Sequence, residues 1–254
     1  MTVIINIVGI GRGSGKTALV EAITRKLSKR VNVWTVKHIS TFFDTADKDT
    51  WRHLSAGSKA TLAVTKNEII TIRKSATASL GEALTEIPQN ADLLLIEGFK
   101  KSGYSKVVVA QKKEDAREVL NMVSHVFAIY GGEKAKTNWK EVDGVPVMRL
   151  TKLISTIEGM VLTDIANRLP RSNCRRCGFP SCDDLAHSIL AGKATLQRCN
   201  SLLEPAVCLT INDKSVHMSS FPRELVKNIV LGIVSSLTGV EENRIGHLNL
   251  DIKV

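Results

Sequence analysis

Gly9 to Thr17, GIGRGSGKT, set four spaced glycines ahead of a lysine and a threonine. That pattern suits a phosphate group, which needs several N–H donors converging on it, no side chains in the way, and the positive end of a following helix. Gly11, Gly13 and Gly15 supply the open backbone, and Ala18, Leu19, Val20, Ala22, Ile23 and Leu27 follow at helical spacing. The nucleotide-contacting stretch is read as Gly11, Arg12, Gly13, Ser14, Gly15, Lys16, Thr17 and Ala18. Lys16 is placed to run along the β- and γ-phosphates and the Thr17 hydroxyl to coordinate Mg²⁺. Against the pattern G-x-x-x-x-G-K-[ST], Ile10 stands where the first glycine is expected and Gly9 comes one residue early, so this is a variant loop unless the glycines cluster by chance.

A loop of this kind wants a carboxylate for the Mg²⁺ at the carboxyl end of a neighbouring strand. The segment DLLLIEGFK offers Asp92 and Glu97. At about 3.3 Å per residue they stand roughly 16 Å apart on one strand. Glu97 is therefore the metal candidate, with a solvated strand-end acid as the alternative, and Asp92 is a capping or turn residue. Lys37 and His38 end another strand, and Asp44, Asp47 and Asp49 follow them. Lys37 is a candidate for the ligand-facing edge, because open α/β sheets bind at the carboxyl ends of their strands, with polar surface as the competing reading. Asp49, with Arg52 and His53, is placed in or near a short helix ending at Gly57, as a further ligand-edge candidate or as polar surface. No Asn-Lys-x-Asp guanine-reading motif occurs, so these residues leave GTP and ATP equally open.

A second constellation is C-x2-C-x4-C-x16-C, made by Cys174, Cys177, Cys182 and Cys199. Three thiols within nine residues can wrap adjacent corners of a cluster, and the fourth returns after a helix that Asp183 and Asp184 open and Gly192 closes. Gly178, Pro180 and Ser181 suit a tight loop that offers N–H groups to sulfur, so an iron-sulfur cluster is favoured. Zn²⁺ stays open, with His187 as a substitute ligand, although zinc sites more often pair two short knuckles. Cys208 lies outside the spacing and reads as a small buried strand residue, while Arg171, Arg175, Arg176 and Arg198 flank the thiols and either offset a cluster's negative charge or face water.

The elements that must position these groups follow from hydrophobic pattern. Short apolar runs at Val3 to Val8, Val31 to Val36, Leu93 to Ile96, Val107 to Ala110, Val126 to Tyr130 and Val145 to Leu150 predict strands of a mostly parallel sheet buried on both faces, hence an α/β fold. Ala60 to Thr65 and Glu68 to Lys74 predict an inserted β-hairpin. Leu153 to Leu169 predicts a helix that Pro170 stops, and the domain boundary is placed there: residues 1–170, then 171–254. The second domain is read as a small α+β unit. Beyond the cysteines it holds a hairpin from Val207 to Ile211 and Val216 to Met218 around Asn212-Asp213-Lys214, then a helix with an apolar stripe from Phe221 to Leu237 that ends at Gly239, and a final strand. The stripe reads as a packing face, since its polar side carries too few Lys and Arg for a membrane-surface helix.

With 254 residues, 43% of them hydrophobic, the chain has enough apolar surface for one large or two ordinary domains. No run reaches the roughly 18–20 uncharged residues that span a membrane. The apolar start lacks a basic leader and cleavage site, and with the crowd of thiols this predicts a cytoplasmic protein. Residues 1–150 hold 23 Lys and Arg against 15 Asp and Glu, and residues 151–254 hold 12 against 10, so the basic excess accompanies the glycine-rich half and favours an anionic ligand there. With 4% aromatic residues and scattered cations, nucleic acid is disfavoured.

Residues 3 to about 170 resemble the MobB family of molybdopterin-guanine dinucleotide biosynthesis proteins through GRGSGKT, Lys37-His38, DKDTWRHLSAGSKATL and above all DLLLIEGFK, in that order and spacing. The resemblance implies a P-loop NTPase-type GTP-binding accessory or adapter protein of molybdenum cofactor synthesis, weakly hydrolytic and homodimeric. It implies a molybdopterin guanylyltransferase (MobA-like) as partner, together with molybdoenzyme apoproteins. Lys16 and Thr17 would hold the nucleotide phosphates, and Asp49 and Glu97 fall in the family's motifs. Cys174 to Cys199 resembles the four-cysteine [4Fe-4S] module of Rnf electron-transport complexes and corrinoid iron-sulfur proteins, which implies those four cysteines as ligands and a redox-sensing or docking role. Two other functions stay open: a nucleotide-gated electron-transfer protein and a small-molecule P-loop kinase.

Overall fold

The computed structural model describes residues 2–39, 48–132, 139–203, 209–211, 214–216 and 218–237. It divides into two compact units, Met1–Asp164 and Ile165–Val254.

The first unit is built on five parallel strands: β1 (Val3–Gly9), β2 (Val33–Lys37), β5 (Leu93–Glu97), β6 (Ser105–Val109) and β7 (Val126–Tyr130). Their order is β2-β5-β1-β6-β7. This is the expected α/β P-loop architecture. β1 lies at the centre, with Ile5, Ile7 and Val8 at most 1% exposed between the equally buried Leu93 to Ile96 and Val107 to Val109. Parallel strands need crossovers, so both sheet faces are covered and the strands read as unbroken apolar runs. α1 (Lys16–Leu27) returns from β1 and buries Leu19, Ile23 and Leu27, one residue per turn. α4 (Lys113–Leu120) buries Ala116 and Val119. α5 (Leu150–Arg168) buries Leu153, Ile157, Val161 and Ile165 and ends two residues before Pro170, as its missing N–H requires.

β3 (Ala60–Val64) and β4 (Ile69–Arg73) form the inserted hairpin as a separate two-stranded sheet. It follows α2 (Asp49–Ser55), and α3 (Leu80–Leu84) comes after it. Two expectations are corrected. The first edge strand begins at Val33 and is not buried on both faces: with a neighbour on one side alone, it leaves Trp34 39% exposed. The predicted strand from Val145 to Leu150 is a two-residue rung, Val145–Pro146 (β9), antiparallel to Glu141–Val142 (β8) across a turn with Asp143 and Gly144 both at positive φ. Pro146 cannot donate to a longer ladder, a single parallel bridge joins Val147 to Ile129, and Leu150 already opens α5.

In the second unit, α6 (Cys182–Leu190) starts at Ser181, whose hydroxyl accepts from the Asp184 N–H at 3.1 Å. A single 3-10 turn, Leu196–Arg198, leads to α7 (Asn200–Leu203), the antiparallel pair β10 (Leu209–Ile211) and β11 (Lys214–Val216), and α8 (Ser220–Ser235). Lys214 belongs to a strand, not to the predicted turn. The α8 stripe, expected to pack, is open: Phe221, Leu225, Ile229, Ile233 and Leu237 are 49–76% exposed, because no described element lies over that face. Asp44, Asp47, Cys208, Gly239 and the predicted final strand lie outside the described residues. No helix among the described residues is long and apolar enough to cross a membrane.

The turn after β5 is tightly packed. Gly98 has φ 97°, and a Cβ there would stand 2.7 Å from the His38 Cβ. Gly98→Ala is therefore expected to destabilise the protein by about 1–3 kcal/mol, read by urea denaturation. Gly103→Ala, with nothing within 4 Å of the added carbon, should change little.

Candidate functional site

Between β1 and α1 the chain makes a curled loop in which Gly11, Gly13 and Gly15 have φ of 57°, 78° and 94°. Left-handed backbone at alternate positions turns the N–H groups inward, and glycine adopts it at least cost. The displaced first glycine also has an explanation. A Cβ on Gly9 would lie 2.7 Å from the Val109 carbonyl oxygen and 2.9 Å from Ser14 Oγ, so Gly9 is the point where the loop closes onto β6. Ile10 is partly buried against the core that includes Val8 and Val108, so its side chain anchors the loop base instead of blocking its mouth.

Lys16 Nζ donates to the Gly11 carbonyl at 2.6 Å and to Ser14 Oγ at 2.8 Å, folding over the loop. Burial pushes its pKa down, against the opposing pull of Glu97. Thr17 Oγ1 donates to both Glu97 carboxylate oxygens at 3.0 Å. Lys37 Nζ stands 3.3 Å from Thr17 Oγ1 and 3.3 Å from Glu97 Oε1. The parallel register pairs Lys37 with Glu97 and Glu97 with Ile7, so three strand ends converge at the carboxyl edge. These groups line a cleft of about 520 Å³ with Arg12, Ala18 and His38. A second cleft, of about 580 Å³, opens on the far side of Gly15 and Ala18, walled by Val109, Gln111 and Tyr130.

Glu97 and Lys37 are thus brought to the loop. Asp92 is at the opposite strand end, accepting from the Asn32 N–H at 2.9 Å, as strand geometry required. Asp49 is not among the residues lining either cleft: it opens α2, 85% exposed, and pairs with Arg52 at 3.3 Å. Sequence reading missed Asn6, Phe99 and Lys106. Asn6 and Lys106 are fully buried on adjacent strands. Polar residues inside apolar runs are the signal that points to them.

Around the cysteines, Asn173, Arg175 and Gly178 have positive φ, and the Asn173 side chain accepts from the Cys182 N–H at 2.8 Å. Arg198 Nε donates to the Cys177 carbonyl at 3.2 Å and Asn200 Nδ2 to the Arg176 carbonyl at 3.3 Å, tying the two ends of the motif together. The Ser201 hydroxyl, the Arg176 N–H and the Ser172 hydroxyl lower the Cys174 pKa to about 7. Burial raises that of Cys199, opposed by N–H donation from Ser201 and Leu202. Cys199 also feels the charges of Cys177 and Cys182. Among the described residues no group of three His, Cys, Asp or Glu side chains is arranged to hold a single metal ion. His187 is exposed on α6, while Cys182, at the start of that helix, is buried.

The lowered Lys16 pKa gives a pH dependence. An anion binds the protonated amine, so affinity for inorganic triphosphate should decline with rising pH before an ordinary lysine would titrate. Calorimetric titration across the alkaline range should show that decline in the native protein, and Lys16→Arg should flatten it.

Comparison with known proteins accords with this geometry. A family profile described as "Molybdopterin guanine dinucleotide synthesis protein B" (MobB) matches residues 4–131, and one described as "Putative Fe-S cluster" matches residues 169–201. The "Probable molybdopterin-guanine dinucleotide biosynthesis adapter protein" of Bacillus subtilis is 36% identical over 151 residues, covering 57% of this chain and 83% of that protein. A Methanocaldococcus jannaschii protein, "Putative molybdopterin-guanine dinucleotide biosynthesis adapter protein", is 22% identical over 98% of this chain and 97% of its own length. A stretch of 42 residues is also similar to the same organism's "Acetyl-CoA decarbonylase/synthase complex subunit gamma", at 43% identity, covering 16% of this chain and 9% of that protein. With its curled phosphate loop, its strand-end glutamate and a profile match over half its length, the chain belongs to the MobB family.

Proposed function

We propose that the protein is a GTP-binding adapter in molybdopterin guanine dinucleotide synthesis, with residues 1–170 holding the nucleotide and residues 171–254 carrying an iron-sulfur cluster. The observation that carries the first part is the meeting of Thr17, Glu97 and Lys37 at the mouth of the loop. Loop N–H groups from Gly11 to Thr17 take the phosphate oxygens, and Lys16 exchanges the Gly11 carbonyl and Ser14 hydroxyl for the β- and γ-phosphates. Thr17 and Glu97 are the oxygen donors for Mg²⁺, and Lys37 offsets the charge that gathers there. The nucleoside lies in the second cleft, beside Tyr130 and Gln111. Hydrolysis is slow: Glu97 is the sole carboxylate among the described residues lining the phosphate cleft, and it is committed to Thr17. Holding GTP without rapid turnover suits a protein that presents nucleotide to a MobA-like guanylyltransferase, and a homodimer would offer two such sites.

The second part rests on the cysteine region. Cys174, Cys177, Cys182 and Cys199 fit a [4Fe-4S] cluster. Main-chain and hydroxyl donors point at the sulfurs of Cys174 and Cys199, and Cys177 and Cys182 act electrostatically on Cys199. Such a cluster would supply one-electron chemistry, for sensing redox state or docking a partner.

Equilibrium binding should rank GTP above ATP and CTP, and Lys16→Ala should weaken GTP by about 10–100-fold, the worth of a charge-assisted hydrogen bond. An unchanged affinity would remove the assignment. Anaerobic purification should yield about four iron and four sulfide per chain, lost in Cys182→Ser. Zinc without sulfide would contradict the cluster.

A further inference from the structure

Asn6 is fully buried in the central strand, where a stable sheet would take an apolar residue. Its Nδ2 donates to the Phe99 carbonyl at 3.0 Å and to Ser102 Oγ at 2.7 Å, while its buried Oδ1 meets no hydrogen-bond donor among the described residues. The fold thus tolerates an unsatisfied oxygen in order to present an amide to the segment that follows Glu97. That segment needs holding. Gly98 and Phe99 are both left-handed, at φ 97° and 44°, and for a residue with a Cβ the second conformation is strained.

The neighbours show what the strain accomplishes. Gly98 N–H donates to the Ile7 carbonyl at 3.2 Å, and His38 N–H donates to the Glu97 carbonyl at 2.8 Å. The Phe99 ring lies against the His38 ring, centroids 4.7 Å apart. Lys106, buried beside Asn6, donates to the Ser102 and Tyr104 carbonyls and closes the far end of the segment. Sheet register therefore fixes the chain up to Glu97, and Asn6 fixes it two residues later. If Phe99 relaxed to the right-handed region, the chain would leave β5 in another direction, and the end of the strand that carries Glu97 would lose its outer anchor and fray.

We infer that Asn6 is a positioning residue for the proposed Mg²⁺-nucleotide site: through the Phe99 carbonyl it holds the left-handed turn that closes β5 and so keeps the strand end carrying Glu97 from fraying away from Thr17. This rests on the reading of Thr17 and Glu97 as metal-binding oxygens. Asn6→Asp is nearly isosteric and keeps a partner for Ser102, but cannot donate to the Phe99 carbonyl. Asn6→Ser is small enough for the site and too short to span to that carbonyl.

GTP affinity of the full-length protein, measured with Mg²⁺ and with EDTA, reads the effect. In the native protein Mg²⁺ should strengthen binding, and in both Asn6 variants that gain should fall about tenfold while the EDTA affinity stays within about twofold. Lys16→Ala should instead weaken both conditions. Amide hydrogen exchange without nucleotide gives a second readout, independent of metal: protection of residues 98–102 should drop in the Asn6 variants. A variant with native Mg²⁺ gain and native protection there overturns the role of Asn6. A native protein with no Mg²⁺ gain overturns the metal reading, and exchange then still decides whether Asn6 holds the turn. Should Asn6→Asp not fold, Asn6→Ser carries both measurements.

Discussion

The contact between the Thr17 hydroxyl and the Glu97 carboxylate, 80 residues apart in sequence, depends on the register of three parallel strands. β1 pairs with β5 so that Ile7 sits opposite Glu97, two residues before the phosphate loop begins at Gly9. A slip of one residue would turn Glu97 to the other face of the sheet. The register is secured by burial, since Ile5, Ile7 and Leu93 to Ile96 all lose contact with water together. Hydrophobic packing thus sets the position of a polar site.

Close approach does the remaining work at both ends of the site. Gly9 lets the Val109 carbonyl come to the loop base, and Gly98 lets His38 come to the turn after Glu97. Each glycine is required by a neighbour and not by flexibility. These two close approaches fix the shape of the loop and of the turn, and Lys16 folds onto Gly11 and Ser14. In the second unit the Arg176 N–H donates to the Cys174 sulfur and the Ser201 and Leu202 N–H groups to that of Cys199, while Asn173, Arg198 and Asn200 tie the backbone of the motif together.

Much of this was legible in the sequence because each piece rests on local chemistry. The loop glycines, Lys16 and Thr17 announce themselves by spacing, and Glu97 over Asp92 follows from the rise of a strand. The inserted hairpin and the stop before Pro170 are likewise local. What could not be read depends on partners distant in sequence. That Val33 begins an edge strand is a fact about the sheet's order, not about the apolar run. Pro146 warned against a long strand, but the competing pattern of Val145, Val147 and Leu150 hid the start of α5. Gly9 looked misplaced because its reason, the Val109 carbonyl, is 100 residues away. Asn6 was passed over inside an apolar run, since its meaning lies in Phe99 and Ser102 and not in its neighbours.

The central claim, that the loop and Glu97 together hold the metal-bound tail of a nucleoside triphosphate, is tested most directly by placing Mn²⁺ with a non-hydrolysable GTP analogue on the protein and measuring phosphorus hyperfine coupling by pulsed electron paramagnetic resonance. The account predicts coupling to the β- and γ-phosphates, lost when Thr17 is replaced by Val. Bound Mn²⁺ with no phosphorus coupling, or coupling indifferent to Thr17, would contradict it.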